Sequence, residues 1–220
     1  MLVENIRVNI KNVNFNTIVF DLNGTITNSV SNNPKHILFR NDYIKDKIEM
    51  PLYGTLPNET SKALELYMLD TEEYYNFRNS VIDWSTFHSY NEVTFNMLRR
   101  LYKKGYNLVL YTDCYMGQVE PTLEILQIKS FFKLIVSREL GLKKPSTKAY
   151  RHIAKTLGEP LDHLLMIAND YKKDLKPLQN IGGNTIWIQS EQHIGKAQII
   201  IEKHTNNTSK KNNTLNLEFT

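Results

Sequence analysis

The sequence predicts an α/β fold, a Rossmann-like, doubly wound parallel sheet with a small α-helical cap inserted after its first strand. Short apolar runs that are nearly continuous rather than alternating are typical of strands buried on both faces of a parallel sheet. Segments of helical spacing separate these runs, as a doubly wound sheet requires. One long interruption of the alternation predicts the cap, since structureless connections of such length are uncommon in compact domains.

The predicted elements follow in chain order. Thr17–Phe20 is the first strand, and the interruption after it spans residues 30–88, which contain helical patterns at Thr60–Leu69 and Thr71–Val81. Beyond it, helices and strands alternate as Glu92–Lys104, Leu108–Thr112, Val119–Leu126, Lys133–Val136, Lys148–Leu157 and Leu164–Ala168, and a fifth strand, Thr185–Ile188, follows Gly182-Gly183. We therefore divide the chain into a core of residues 1–29 and 89–203 and a cap of residues 30–88. Residues 204–220, mostly Asn, Thr, Ser and Lys, have little to bury, and disorder is expected there.

Composition restricts the classes of function. A chain of 220 residues, 41% of them hydrophobic, can bury a substantial core. The 27 basic and 23 acidic side chains give a net charge of only +4, without a basic run that would mark a nucleic-acid track. One cysteine, Cys114, is compatible with a reducing compartment. The absence of a leader-like or long apolar segment favours the cytoplasm, without a membrane partner and as a monomer or homodimer.

Polar side chains lie at or just beyond the ends of four predicted strands. Asp21 follows the first strand, Thr112-Asp113 the second, Lys144-Pro145 the third, and Asn169-Asp170 with Asp174 the fourth. The carboxyl ends of parallel strands meet in one crevice, where active sites of such sheets lie. A carboxylate nucleophile, a hydroxyl, an ammonium group and further carboxylates suit attack on a phosphoryl group with bound Mg²⁺.

These four motifs resemble the haloacid dehalogenase (HAD) superfamily, most closely its members with an α-helical cap after the first motif. The resemblance covers roughly residues 15–190 and rests on Phe20-Asp21-Leu22-Asn23-Gly24-Thr25, Tyr111-Thr112-Asp113, Gly141-Leu142-Lys143-Lys144-Pro145 and Ile167-Ala168-Asn169-Asp170-Tyr171-Lys172-Lys173-Asp174. Each motif alone is weak evidence, whereas four in this order and spacing are specific. The resemblance implies a Mg²⁺-dependent hydrolase that acts on a small phosphorylated compound.

The family's residue roles carry over by position. The resemblance implies that Asp21 is the nucleophile that forms an aspartyl-phosphate, and that Thr112 binds phosphoryl oxygens with nearby backbone N–H groups, including the Asp113 region. Lys144 would neutralise charge between nucleophile and phosphate. Mg²⁺ would be held by the Asp21 carboxylate, the backbone carbonyl of Asn23 and an acid of the fourth motif.

Two positions depart from the family pattern. Asn23 stands where phosphatases of the family usually have the Asp that serves as general acid and base, so slow turnover is expected, since such help contributes about 10²- to 10⁴-fold. In the fourth motif, Asn169 and Asp170 both fit known spacings from Asp174. We expect Asp170 to be the metal ligand, because a carboxylate binds a hard cation better than an amide does. Asn169 and Asp174 are the alternates, and Asp174 could instead orient Lys144.

Two other interpretations remain open from the sequence. Asn23 and Ala168, in place of the usual Asp and Gly, suit a pseudoenzyme that keeps the scaffold as a binding or regulatory module. Dehalogenases of the superfamily also lack the second Asp, but their fourth motif usually has a Ser and Asn pattern, which Asn169-Asp170 does not match. The six histidines show no metal-ligand spacing, and His36, His88 and His163 are expected at the surface or at helix ends.

Overall fold

One mixed sheet forms the core of the protein. The computed structural model describes residues 2–3, 5–11, 14–29, 33–48, 56–57 and 59–215. Within these residues seven strands are arranged in the order β1-β2-β7-β6-β3-β4-β5. They are β1 (Leu2–Val3), β2 (Ile6–Asn9), β3 (Thr17–Phe20), β4 (Asn107–Tyr111), β5 (Phe132–Val136), β6 (Leu164–Ala168) and β7 (Asn184–Ile188). The described helices are α1 (Pro34–Ile48), α2 (Thr60–Glu65), α3 (Thr71–Val81), α4 (Glu92–Lys103), α5 (Met116–Ile125), α6 (Thr147–Leu157), α7 (Lys176–Gln179) and α8 (Ile194–Leu215).

Strand β3 lies at the centre of the five parallel strands. It pairs in parallel with β4 on one side and with β6 on the other, so that Phe20 is aligned with Leu110 and Ile167. All four residues of β3 are buried. The chain proceeds from β3 to the β4–β5 side and only later to the β6–β7 side, which makes the carboxyl end of β3 a topological switch point. Crevices at such points are the usual ligand sites of open α/β sheets.

Helices cover both faces of the sheet, which confirms the doubly wound fold class. On one face, β3, β4 and β6 pack against apolar residues of α4, α5 and α8, among them Leu98, Leu123 and Ile201. On the other face the cluster includes Ile153 of α6 and Leu178 of α7. Continuous burial on both faces is the reason that these strands lack polar alternation.

The segment predicted to form the cap contains α1, α2 and α3, which we call the helical insert. Its helices pack around a separate apolar cluster that includes Ile44, Leu64 and Tyr74. The insert contacts the core where α3 approaches α5, and a Cβ at Gly117 would lie 2.9 Å from Cβ of Asn79. The missing side chain therefore lets the two helices approach closely at this point. The domain boundaries themselves stay a prediction.

Several elements were not anticipated from the sequence. The strand β2 pairs antiparallel with β7, and β1 pairs antiparallel with β2, so the sheet is not wholly parallel. In β2 the buried Ile6 is followed by the exposed Arg7, an alternation too short to identify a strand from the sequence. The helices α1, α7 and α8 were also missed.

The helix α8 continues to Leu215, into the segment 204–220 for which the sequence predicts disorder. Only the backbone is described for residues 205–215, and residues 216–220 lie outside the described part. The disorder expected for residues 204–220 therefore stays a prediction. Among the helices described, none combines the length and the apolar character needed to cross a membrane.

Candidate active site

Asp21 lies directly beyond β3 at the centre of the sheet edge. Its residue is only 8% exposed, and its backbone N–H donates to the carbonyl of Ile167 at 3.3 Å. The Thr25 hydroxyl donates to Oδ2 of Asp21 at 3.3 Å. The intervening turn depends on Gly24, whose φ of 81° lies in the left-handed region. This turn leaves Oδ1 of Asp21 facing the next strand ends.

Lys144 bridges two buried carboxylates. Its Nζ lies 2.5 Å from Oδ1 of Asp21 and 2.6 Å from Oδ1 of Asp174, and the three side chains are 4%, 11% and 3% exposed. Burial disfavours the charge on Lys144, but the two adjacent carboxylates outweigh it and raise the pKa of the ammonium group above its usual value. Burial also raises the pKa of Asp174 to about 7, although the ammonium of Lys144 opposes that shift. The site is therefore a compact charged triad shielded from water.

The loops after β4 and β5 hold Lys144 in this position. The backbone N–H of Lys144 donates to Oδ1 of Asp113 at 2.9 Å, and the Tyr111 hydroxyl donates to the Leu142 carbonyl at 2.9 Å. Thr112, 2% exposed, accepts the backbone N–H of Cys114 at its Oγ1, at 3.2 Å. Asp113 thus positions the lysine loop, and the phosphate-binding roles of Thr112 and Asp113 stay predictions.

Asn23 is fixed by contacts on both ends of its amide. Its Nδ2 donates to Sγ of Cys114 at 3.0 Å, and its Oδ1 accepts from the Thr27 hydroxyl at 3.4 Å. Burial raises the pKa of the Cys114 thiol, so this sulfur is neutral. The side chain at the position of the expected general acid and base is consequently an immobilised amide without proton chemistry.

In the fourth motif, Asn169 shares a contact partner with Asp21, whereas Asp170 caps a helical turn. Oδ1 of Asn169 is 3.4 Å from the Thr25 hydroxyl, which also contacts Asp21. Asp170 instead caps a π-helical turn at Tyr171–Leu175 by accepting the Lys173 backbone N–H at 2.9 Å. Asn169, an alternate in the sequence prediction, thus shares a hydrogen-bond partner with Asp21, and the role of Asp170 as metal ligand stays a prediction. The difference could not be seen from spacing alone, which fits both residues.

The donor groups around Asp21 suit a hard divalent cation. The Asp21 carboxylate and the Asn169 amide oxygen converge on Thr25, and both are oxygen donors of the kind that Mg²⁺ prefers. Mg²⁺ commonly takes one or two protein carboxylates and completes its coordination with water and substrate oxygens. No group of three His, Cys, Asp or Glu side chains with metal-site geometry occurs in the described part of the chain. The site therefore fits a cation that is completed by the substrate.

We predict that Gly24→Ala destabilises the protein more than Gly105→Ala does. Both glycines have φ near +80°, at 81° and 83°, and an alanine there costs about 1–2 kcal/mol in the left-handed region. Only at Gly24 would the new Cβ collide, at 2.3 Å from Nδ2 of Asn169, whereas nothing lies within 4 Å at Gly105. Urea unfolding should show an additional loss of about 1 kcal/mol or more for Gly24→Ala. Equal losses would contradict the close packing of Asn169 on this turn.

A cavity of about 520 Å³ opens beside the triad, between the helical insert and the core. Asn23, Asp113 and Cys114 line its core side, next to Asp21 and Thr112 in the chain. Cationic, aromatic and amide side chains line the remainder, including Tyr75, Arg78, Tyr115, Gln118 and Arg138. Thr25, Gln118 and the two arginines were not predicted as site residues, because nothing in their spacing indicates a site. His36, also in the lining, is 3% exposed rather than at the surface, and burial next to Arg78 and Arg40 lowers its pKa to about 4.

Comparisons with known proteins identify the family of the chain. Residues 18–188 match the family model described as haloacid dehalogenase-like hydrolase. The chain is 24% identical over 183 residues to pyrophosphatase PpaX of Bacillus cereus. That match covers 77% of this chain and 81% of PpaX. It is 29% identical over 94 residues to glyceraldehyde 3-phosphate phosphatase of Pyrococcus abyssi, but that match covers only 42% of this chain and 40% of that protein.

Solved structures show the same fold at low sequence identity. A HAD phosphatase from Thermococcus onnurineus aligns with a TM-score of 0.61 and 16% identity, over 83% of this chain and 97% of that chain. A predicted phosphoglycolate phosphatase from Haemophilus somnus aligns with a TM-score of 0.57 and 18% identity, over 78% and 84% of the two chains. The magnesium-bound HAD-hydrolase YfnB from Bacillus subtilis aligns with a TM-score of 0.51 and 17% identity, over 78% and 85%.

Proposed function

Because the chain belongs to the haloacid dehalogenase-like hydrolase family and is an enzyme of that family, we propose that it is a Mg²⁺-dependent phosphatase of a small phosphorylated compound. One observation carries this proposal: the buried Lys144 ammonium contacts both the Asp21 and the Asp174 carboxylates. A carboxylate held against a fixed cation at a switch point is suited to receive a phosphoryl group whose oxygens need neutralisation.

The reaction would proceed in two displacements on phosphorus. The Asp21 carboxylate attacks the phosphorus atom and the bond to the leaving oxygen breaks, which gives an aspartyl-phosphate and an alcohol or acid that takes a proton from solvent. Water then attacks the phosphoryl group, releasing inorganic phosphate and restoring the Asp21 carboxylate. When bound, Mg²⁺ supplies charge neutralisation and alignment of the phosphoryl oxygens.

Lys144, Asp174 and Asn23 would each have a separate role in this reaction. Lys144 stays positively charged and offsets the negative charge that the phosphoryl group brings close to the Asp21 carboxylate. Asp174 positions the ammonium group, to which it is joined at 2.6 Å. Asn23 can orient a water molecule or leaving group by hydrogen bonding but can transfer no proton, because a neutral amide does not titrate near pH 7. Both the loss of the leaving group and the attack of water would therefore lack an acid or base.

We predict that Asn23→Asp accelerates the hydrolysis of poor leaving groups. For an alkyl phosphate, kcat should rise by about 10²- to 10⁴-fold, because the new carboxyl can protonate the leaving oxygen and then activate water. Acetyl phosphate, whose leaving group needs no proton, should gain much less in its first step. Steady-state assays with both substrates check this, and Asn28→Asp, which adds a carboxylate at a nearby exposed position, is the control. If both substrates gained equally, protonation of the leaving group would not be the step that Asn23 limits, and the shared attack of water would be.

A second candidate is a binding or regulatory protein that has lost turnover, and the two amides favour it. Asn23 occupies the acid and base position, and Asn169 lies where a fourth-motif carboxylate could approach Asp21. Beryllofluoride mimics a phosphoryl group on an aspartate and distinguishes the two functions when combined with an activity assay. Mg²⁺-dependent capture together with turnover of acetyl phosphate supports the phosphatase. Capture without turnover would support the binding protein, and the absence of both would refute the phosphoryl site.

A further inference from the structure

The cavity between the helical insert and the core contains two arginines that no carboxylate neutralises. Among the described residues, the acidic side chains that form ion pairs lie elsewhere, and none is within ion-pair distance of Arg78 or Arg138. Of the two carboxylates in the lining, Glu59 pairs with Lys62 at 2.9 Å and Asp113 accepts the Lys144 backbone N–H. The cavity wall therefore presents positive charge.

Aromatic rings and neutral amides hold these guanidinium groups in place. Arg138 lies over the rings of Tyr115 and Tyr75, at 5.2 Å and 5.6 Å from their centroids. Arg78 lies over Tyr75 at 4.6 Å and donates to Oε1 of Gln118 at 2.8 Å. Stacking fixes the position of a guanidinium group without cancelling its charge. Arg78 also donates to Oδ1 of Asn79, so its N–H groups are largely satisfied within the chain, whereas the guanidinium group of Arg138 remains available to a ligand.

Two buried donors in the lining have no acceptor among the described residues. They are Nε of Arg138 and Nε2 of Gln118, and the Gln118 residue is only 2% exposed. The orientation of the Gln118 amide is fixed by Arg78, because a guanidinium group can only donate and must face the oxygen. The Gln118 amino group therefore points away from Arg78. A buried donor without an acceptor is unfavourable, and a ligand oxygen would supply the missing acceptor.

The cavity adjoins the proposed reaction centre. The backbone N–H of Arg138 donates to the Cys114 carbonyl at 3.1 Å, and Cys114 contacts Asn23 at 3.0 Å. Asn23 also lines the cavity and is two residues from Asp21. A small molecule whose phosphoryl group lies at Asp21 can thus extend past Asn23 and Cys114 towards Arg138.

We propose that the cavity is a second-anion subsite, in which Arg138 and Gln118 bind a carboxylate or a second phosphate of the phosphorylated substrate. This inference rests on the proposed function, since it assumes that the phosphoryl group binds at Asp21. It narrows the substrate class from any small phosphate ester or anhydride to compounds that carry two anionic groups. An acceptor with negative charge satisfies both orphan donors and the uncompensated guanidinium groups together, which a neutral hydroxyl does not.

The test uses the full chain and three non-hydrolysable probes, at constant free Mg²⁺. Methylphosphonate has one anionic group, phosphonoacetate adds a carboxylate, and methylenediphosphonate adds a second phosphonate. Isothermal titration should show that one or both of the two-anion probes bind about 10- to 100-fold more tightly than methylphosphonate, as expected for a charge-assisted contact. The stronger of the two identifies the second group as a carboxylate or a phosphate.

Variants assign the preference to the cavity. Arg138→Met should reduce the ratio of two-anion to one-anion affinity towards unity, while Arg151→Met, an exposed arginine of α6, should leave the ratio unchanged. Gln118→Glu keeps the side-chain shape and an acceptor for Arg78 but places a negative charge against the ligand, so it should also lower the ratio. It serves as the independent variant if Arg138→Met does not fold. A wild-type ratio near unity, or a ratio unaffected by both variants, would overturn the subsite.

This readout separates the two proposals. Failure of all three probes to bind would mean that the phosphoryl site itself is absent, and the proposed function fails with the subsite. Binding of methylphosphonate without any gain from a second anion would refute the subsite and leave the phosphoryl site intact. Tighter binding of a two-anion probe would support the subsite even if turnover of every substrate were slow, because no reaction is needed.

Discussion

Asp21→Asn is expected to abolish turnover of acetyl phosphate while the protein stays folded. The amide has nearly the same shape as the carboxylate but is not nucleophilic at phosphorus, so kcat should fall by on the order of 10³-fold or more, as in other enzymes that lose a covalent nucleophile. Lys144 retains Asp174 as a partner at 2.6 Å, which limits the structural damage. Phosphate release in the presence of Mg²⁺ measures the rate, and thermal unfolding measures the stability.

The matched control is Asp46→Asn, which makes the same change at an exposed position of α1. It should retain wild-type kcat, since exposed substitutions away from special contacts seldom alter a folded protein. Acid quenching of the wild type during turnover offers a second measurement, because an aspartyl-phosphate should be trapped in the wild type and be absent from Asp21→Asn. Equal rates in the wild type and Asp21→Asn would show that another group carries the reaction.

Lys144→Met is expected to cause the largest loss of stability. It leaves the carboxylates of Asp21 and Asp174 without the cation that now lies between them, in side chains that are 11% and 3% exposed. Removing one partner from a buried ion pair typically costs about 3–5 kcal/mol. Urea unfolding without Mg²⁺ should reveal a loss of this size, and turnover should disappear as well. Lys143→Met, at the exposed neighbouring position, should change the free energy of unfolding by less than about 0.5 kcal/mol.

The pH dependence distinguishes lost electrostatics from lost packing in Lys144→Met. The pKa of Asp174 is already raised to about 7 by burial, above the ordinary value near 4, and removal of Lys144 should raise it further. A folded state with a raised carboxyl pKa binds more protons than the unfolded state, so it is stabilised at low pH and loses that stabilisation as pH rises. The destabilisation by Lys144→Met should therefore be smaller at pH 5 than at pH 8. A loss that is independent of pH would indicate packing alone.

Much of the fold follows from local pattern. Strands such as Thr17–Phe20 and Leu164–Ala168 were predicted with the bounds that the structure has, because burial on both faces makes them nearly continuously apolar. The strand β2 was missed, because a four-residue strand with only one fully buried residue gives no continuous apolar signal. Helices α1 and α8 were missed for a related reason, since their mixed polar sequences are helical through contacts with the rest of the chain.

The residues of the candidate site were also predictable only in part from the sequence. Asp21, Thr112 and Lys144 could be singled out because Asp21 and Thr112 directly follow strands and Lys144 lies in the loop after another, and parallel strands bring their carboxyl ends together. The fourth motif was ambiguous, because Asn169 and Asp170 are adjacent and both satisfy a plausible spacing. In the structure Asn169 packs against the turn at Gly24 and contacts the Thr25 hydroxyl, which also contacts Asp21.

The sequence by itself determined the family, the doubly wound core and the order in which a carboxylate, a hydroxyl and an ammonium group reach the sheet edge. These are properties of local pattern and chain order, which the backbone of a parallel sheet converts directly into position. The tertiary structure alone decided which side chains face one another. Arg138 and Gln118 lie in separate elements. They come to line one cavity, each with an unpaired donor, only when the helical insert closes that cavity over the core. Charge compensation and hydrogen-bond satisfaction depend on contacts between distant residues, and no periodicity in the chain encodes them.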